Sequence, residues 1–110
     1  MKKIIVLLLS ILIIGGCNKV KDDLQTIISE NNYTIVDVRT KEEYEEGHLV
    51  NAINIPYDEI EENVFAKDRT ILVYCKSGQR SKKAYESLKK MGYKAYDLGA
   101  YDKIDKFEKE

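Results

Sequence analysis

The sequence predicts an α/β domain built on a mainly parallel sheet. Three observations carry that expectation. Strand-like stretches rich in β-branched and aromatic residues alternate with helical ones along the chain. One of them, Thr70-Ile71-Leu72-Val73-Tyr74, is almost continuously apolar, the pattern of a strand buried on both faces of a parallel sheet. No internal repeat or low-complexity segment interrupts the alternation, and 110 residues hold one domain at most.

The chain opens with Lys2-Lys3 and a stretch from Ile4 to Ile14 that is apolar except for Ser10. It is too short to cross a bilayer as a helix, which needs about 20 residues. With the small residues Gly15 and Gly16 behind it, it reads as a secretory signal. Ile14-Gly15-Gly16-Cys17 resembles the lipobox of bacterial lipoproteins, which implies cleavage before Cys17 and lipid on its sulfur. The alternative is an ordinary signal peptide cut elsewhere, with Cys17 left as a thiol. On the lipobox reading, residues 1–16 are removed, 17–23 form a polar tether and 24–110 fold. The protein is then expected to be exported and anchored to the bacterial cell membrane, facing the periplasm or the exterior.

In the remainder, Leu24, Ile27 and Ile28 recur at helical spacing before the turn signal Asn31-Asn32. Tyr33 to Val38 is a strand, and Lys41 to Glu46 a short charged helix stopped by Gly47. Ala52 to Ile55 is a short strand ended by Pro56, which cannot continue a ladder. Asp58 to Phe65 reads as a helix with Ile60 and Val64 on one face. After the apolar strand and the polar run Cys75-Lys76-Ser77-Gly78-Gln79-Arg80, a helix from Ser81 to Met91 places Ala84, Tyr85, Leu88 and Met91 on one face and is closed by Gly92. Tyr93 to Leu98 supplies another strand, and Ala100 to Phe107 a last helix.

Charge and cysteine content narrow the function. Eighteen Lys and Arg stand against 19 Asp and Glu, and loss of Lys2 and Lys3 tilts the mature chain further towards acid, so nothing points to nucleic acid. With Cys17 consumed by lipid, Cys75 is the one remaining thiol, and no intramolecular disulfide can form. Cys75 stands where the most apolar strand gives way to a small, polar loop and an amphipathic helix. In α/β sheets, ligands bind beyond the carboxyl ends of the strands. The loop can curl its N–H groups into an anion-binding nest, the helix N-terminus adds partial positive charge, and Lys76 and Arg80 add two cations. A thiol so placed is expected to be largely thiolate near neutral pH, and thus a ready nucleophile for an anionic substrate. The competing reading is core filling, since cysteine is among the most buried residue types. The polar loop favours the nucleophile, with a thiol open to solvent whose removal costs little stability.

Three blocks then carry a resemblance: Asp37-Val38-Arg39 with Glu43-Tyr44; Gly47-His48-Leu49-Val50-Asn51-Ala52-Ile53-Asn54-Ile55-Pro56; and Cys75-Lys76-Ser77-Gly78-Gln79-Arg80-Ser81. In this order they resemble the single-domain rhodaneses. The resemblance implies a three-layer domain with a five-stranded, mainly parallel sheet, and sulfane sulfur transfer without a cofactor or metal. Cys75 would carry the sulfur, taken from thiosulfate or a persulfide and handed to a thiol or to cyanide. The loop from Lys76 to Arg80, with Ser81, would hold that sulfur through backbone N–H groups, and Lys76 would attract thiosulfate and stabilise departing sulfite. Asp37, Arg39, Glu43 and His48 fall to structural roles, with Arg39 paired to Glu43 and His48 in a turn. Two departures from the family stand out: Asn51 stands where glycine is usual, and Ala100, Tyr101 and Phe107 occur where a second glycine and a downstream tryptophan are common. Asparagine tolerates positive φ, so the turn at Asn51 is expected to hold.

Two other functions compete with sulfur transfer: a non-catalytic module that binds a partner or senses sulfur species, and a phosphatase or arsenate reductase. An intact Cys75 weighs against the first. Against the second stands the loop length. Proteins of that kind have five residues between cysteine and arginine, whereas four separate Cys75 from Arg80.

Overall fold

The computed structural model describes residues 19–110. The signal segment and Cys17 lie outside the described residues. Helix α1 spans Lys19–Glu30, so it begins within the stretch expected to be tether. It ends where Asn31 turns left-handed at φ 53°, its N–H donating to the carbonyls of Ile27 and Ile28. No helix among the described residues is long and apolar enough to cross a membrane.

The compact unit Asn32–Glu110 holds a parallel sheet. Its strands are β1 (Tyr33–Asp37), β2 (Ile53–Asn54), β3 (Thr70–Cys75) and β4 (Lys94–Ala100), in the order β2-β1-β3-β4. Helices α2 (Lys41–Glu46) and α3 (Gln79–Lys90) and a 3₁₀ turn at Tyr57–Glu62 connect them. The resemblance implies five strands; among the described residues there are four, with one isolated antiparallel bridge from Leu49 to Lys109.

Strand alternation decides what each face buries. Ile71, Val73 and Cys75 of β3 join Val36 and Val38 in a core closed by Ala84 and Leu88 of α3 and by Ile60 and Tyr93. Tyr85 and Met91 complete that face of α3, as the helical spacing predicts. Residues of the other parity, Ile35, Asp37, Leu72 and Tyr74, are equally buried on the opposite face.

Two expected helices are not α-helices. The segment expected at Asp58–Phe65 is the 3₁₀ turn, and Asn63 leaves it in an extended conformation, so Val64 is 91% exposed instead of sharing a face with buried Ile60. The expected helix Ala100–Phe107 is shorter still, a single 3₁₀ turn at Tyr101–Lys103 after which Ile104 is extended. Pairing across space captures this segment: Glu110 exchanges N–H···O bonds with His48, and Val50 donates to the carbonyl of Glu108. Ile104 is buried, and Phe107 packs edge-on against Tyr33 with ring centres 5.7 Å apart.

Candidate active site

Cys75 is the last residue of β3. Its side chain is fully buried and belongs to the core, so the expected solvent-open thiol is corrected: a place in the core and a place at the carboxyl end of the strand coincide at one residue. The cover is the loop itself. Gly78, at φ 100°, is the N-terminal cap of α3, and this left-handed turn aims its N–H at Sγ, 2.9 Å away. A side chain would be strained in that backbone conformation, which accounts for glycine there. The N–H of Ser81 approaches Sγ to 3.3 Å, while Ser81 Oγ lies 3.5 Å from Sγ and donates to the carbonyl of Gly78. Two amide donors converging on one sulfur at a helix N-terminus complement electron-rich sulfur.

Of the other loop residues, Lys76, Ser77 and Gln79 are exposed. Arg80 makes a bidentate bond to Glu43 of α2, Nη1–Oε1 2.9 Å and Nη2–Oε2 3.2 Å. The same Glu43 caps α2, because its Oε1 accepts from the N–H of Thr40 while Thr40 Oγ1 accepts from the N–H of Glu43. The Arg80 hydrogen bonds are the main reason that the Glu43 carboxyl titrates at about 2. Arg80 is held protonated by the same bonds.

The expected Arg39–Glu43 pair is therefore corrected. Arg39 precedes the cap of α2, so the helical four-residue spacing does not apply to it. It lies two residues beyond Asp37 on the same face of the chain, and buried Asp37 takes its guanidinium at 2.7–3.0 Å while the carbonyl of Gly47 takes Nη2 at 2.6 Å. Burial draws the Arg39 pKa down, but the hydrogen bond and charge of Asp37 outweigh it and the pKa is raised. The guanidinium lies against the rings of Tyr74 and Tyr101, 5.5 and 4.4 Å from their centres. Tyr74 and Tyr101 complete this hub; in the sequence Tyr101 stands out only as a departure from the family and Tyr74 only as part of a strand, since nothing in the spacing brings positions 39, 74 and 101 together. Burial pushes the Tyr74 phenol up, and its oxygen accepts from the N–H of Leu49.

His48 has partners remote from the sulfur. Its ring stacks on Tyr44 at 3.8 Å, Nδ1 lies 2.9 Å from the Tyr44 carbonyl and Nε2 3.3 Å from Glu110. Asn51 does adopt the left-handed conformation, at φ 70°. Beside the loop is a cleft of about 220 Å³ lined by Arg39, Glu43, Glu46, Gly47, Lys76, Tyr101 and Asp102. Among the described residues there is no cluster of side chains suited to a metal ion.

The fold and the site define a class: a parallel α/β domain whose central strand ends in a cysteine wrapped by an amide-lined turn. The chain belongs to the rhodanese-like domain family, which matches residues 20–105. It is 42% identical over 62 residues to thiosulfate sulfurtransferase PspE of Escherichia coli (strain K12), covering 53% of this chain and 60% of that protein. It is 38% identical over 72 residues to the putative sulfur carrier protein YrkF of Bacillus subtilis (strain 168), covering 64% of this chain and 39% of the relative. The chain thus spans less than two thirds of either relative's length. A rhodanese from E. coli solved with anions superposes with a TM-score of 0.66 at 36% identity, covering 71% of this chain and 96% of the other. A rhodanese-like domain protein from Staphylococcus aureus gives 0.63 at 33% identity, covering 79% and 91%.

Proposed function

We propose that this protein is a thiosulfate sulfurtransferase that carries sulfane sulfur as a persulfide on Cys75. The observation that carries the reading is the pair of N–H donors, from Gly78 and Ser81, aimed at Sγ in a loop with four residues between cysteine and arginine. The Cys75 thiolate attacks the outer sulfur of thiosulfate; an S–S bond to Sγ forms, and the bond to the sulfonate sulfur breaks with its electron pair leaving on sulfite. An acceptor thiolate or cyanide then attacks the outer persulfide sulfur and returns the Cys75 thiolate. No external oxidant or reductant enters. The loop amides hold negative charge on sulfur throughout, and Lys76 draws in the dianion and stabilises departing sulfite.

Intact mass tests this directly. Protein given thiosulfate gains one sulfur mass on Cys75, cyanide removes it, and Cys75→Ala gains none. Unchanged sulfur transfer in Cys75→Ala would exclude Cys75 from the mechanism.

The proposed setting is the outer side of the cytoplasmic membrane or the cell exterior, with the mature chain held by lipid on Cys17. Two or more acyl chains hold a protein stably where one is marginal. Full-length protein expressed in a bacterial host should enter the detergent phase of a phase-separation extraction, and Cys17→Ser should not. Recovery of the wild type in the aqueous phase counts against the anchor.

A further inference from the structure

The charges lining the cleft are not equally spent. Among the described residues, ion pairs join Arg39 to Asp37, Arg80 to Glu43 and His48 to Glu110, and Lys76, Glu46 and Asp102 take part in none. The two carboxylates and the ammonium are all exposed, so they keep their charge available to a solute in the cleft. Glu46 is also the last residue of α2, where the helix's partial negative charge adds to its own. Among the lining residues the unspent balance is thus two negative charges and one positive, beside the residue that follows Cys75, while the Lys109 ammonium nearby lies against the Tyr101 ring, 4.8 Å from its centre. Lys76 can attract an anion on its way to Sγ, but a dianion lodged in the cleft itself would face both carboxylates. A small molecule with a positive centre, or with one charge of each sign, is complemented at both ends.

Size narrows the class. The 220 Å³ of the cleft is many times the ~10–15 Å³ that admits one water molecule, room for a small solute.

We propose that this cleft is the acceptor subsite and that it selects a low-molecular-weight aminothiol, whose ammonium lies between Glu46 and Asp102 and whose carboxylate, where present, meets Lys76. This rests on the sulfurtransferase reading. The acceptor thiol loses its proton to solvent, its sulfur attacks the outer sulfur of the Cys75 persulfide, and the new S–S bond forms as the bond to Sγ breaks. The electron pair stays on Sγ, where the amides of Gly78 and Ser81 receive it, and the aminothiol leaves as a persulfide.

The test is a single-turnover competition on the full chain. Cys75 is loaded with thiosulfate or, separately, with sodium polysulfide. Loss of the sulfur is then followed by intact mass against cysteamine, 3-mercaptopropionate and the neutral 2-mercaptoethanol. The readout is the ratio of the cysteamine to the 3-mercaptopropionate rate constant, compared between wild type and variants so that intrinsic thiol reactivity cancels. Each of Glu46→Gln and Asp102→Asn should lower that ratio about threefold, in the range for exposed charge pairs, and Lys76→Gln should raise it by a similar factor. High salt should shrink all three differences. A ratio that stays the same in every variant, on protein that does load, overturns the acceptor assignment and leaves the sulfurtransferase reading standing. Failure of Cys75 to load from either donor overturns both.

Discussion

Sγ of Cys75 sits between two demands. It fills a place in the core with Val36, Val73 and Leu88, and it terminates two loop amides that would otherwise point at nothing. Cys75→Ala removes the acceptor from both, and a buried donor left unsatisfied costs about 1–3 kcal/mol. Gly78 is only partly buried and can turn to water, which leaves the penalty chiefly on the buried Ser81 amide. We therefore expect Cys75→Ala to lower stability by about 1–2 kcal/mol, and Cys75→Ser, whose hydroxyl can still accept, to lower it less. Urea unfolding of the three proteins measures the order; equal stability of alanine variant and wild type would mean that the amides do not depend on the sulfur. Asn51 gives a second single-residue case. At φ 70° it occupies a conformation that costs a non-glycine residue about 1–2 kcal/mol, and that asparagine visits more readily than most residues. Asn51→Ala should therefore cost about 1 kcal/mol and Asn51→Gly only a few tenths. The same urea titration reads this, and an alanine variant as stable as the glycine one would contradict it.

Glu43 ties two elements together: it closes the capping box of α2 and clamps Arg80 at the start of α3, the helix whose first turn wraps the sulfur. The sign of its pH effect follows from the depressed pKa. A carboxyl that titrates at about 2 when folded and near 4.5 when unfolded adds stability that is complete above pH 4.5 and is lost as pH falls from 4.5 towards 2. Arg80→Ala releases the main cause of the depression. The variant should be less stable than wild type at pH 7 by on the order of 1 kcal/mol, since the pair is partly solvated. That difference should close between pH 4.5 and 2, which thermal melts across this window can follow; a gap independent of pH would assign the loss to packing. Elements were legible in the sequence where periodicity and packing agree, as in β1, β3 and α3. Local spacing failed where a distant partner decided the conformation. Ile104 and Phe107 look helical, yet the segment is extended because its end pairs with residues 48–50. The turn around Cys75 was legible because its residues lie in one short run. The Arg39–Tyr74–Tyr101 hub and the Glu43–Arg80 clamp were not, because their members meet only after the strands align.

At the scale of the whole molecule, the proposed sulfurtransferase reading gives one sheet end one chemistry, and on it the loop's length and its arginine together favour sulfur over an oxyanion. A loop that binds a phosphoryl group needs a ring of amides wide enough for tetrahedral oxygens and an arginine directed at two of them. Here the amides of Gly78 and Ser81 close on a single atom at 2.9 and 3.3 Å, and both outer nitrogens of Arg80 are taken by Glu43. A phosphoryl group on Sγ would press its oxygens against the backbone, with no guanidinium aimed at them. The wild type should thus transfer sulfur from thiosulfate to cyanide and leave aryl phosphates untouched. Inserting one glycine between Ser77 and Gly78 lengthens the ring to the oxyanion-binding size. It should weaken sulfur transfer at least tenfold, because withdrawing the amides from a charged sulfur forfeits about 1.5–3 kcal/mol. Combining the insertion with Glu43→Gln also releases Arg80, and this double variant is the one expected to take phosphate or arsenate as a competitive ligand. Assays of the three proteins with thiosulfate plus cyanide, and with an aryl phosphate, separate the two chemistries. Robust Cys75-dependent hydrolysis of the phosphate ester by the wild type would overturn the assignment to sulfur, whatever its activity with thiosulfate.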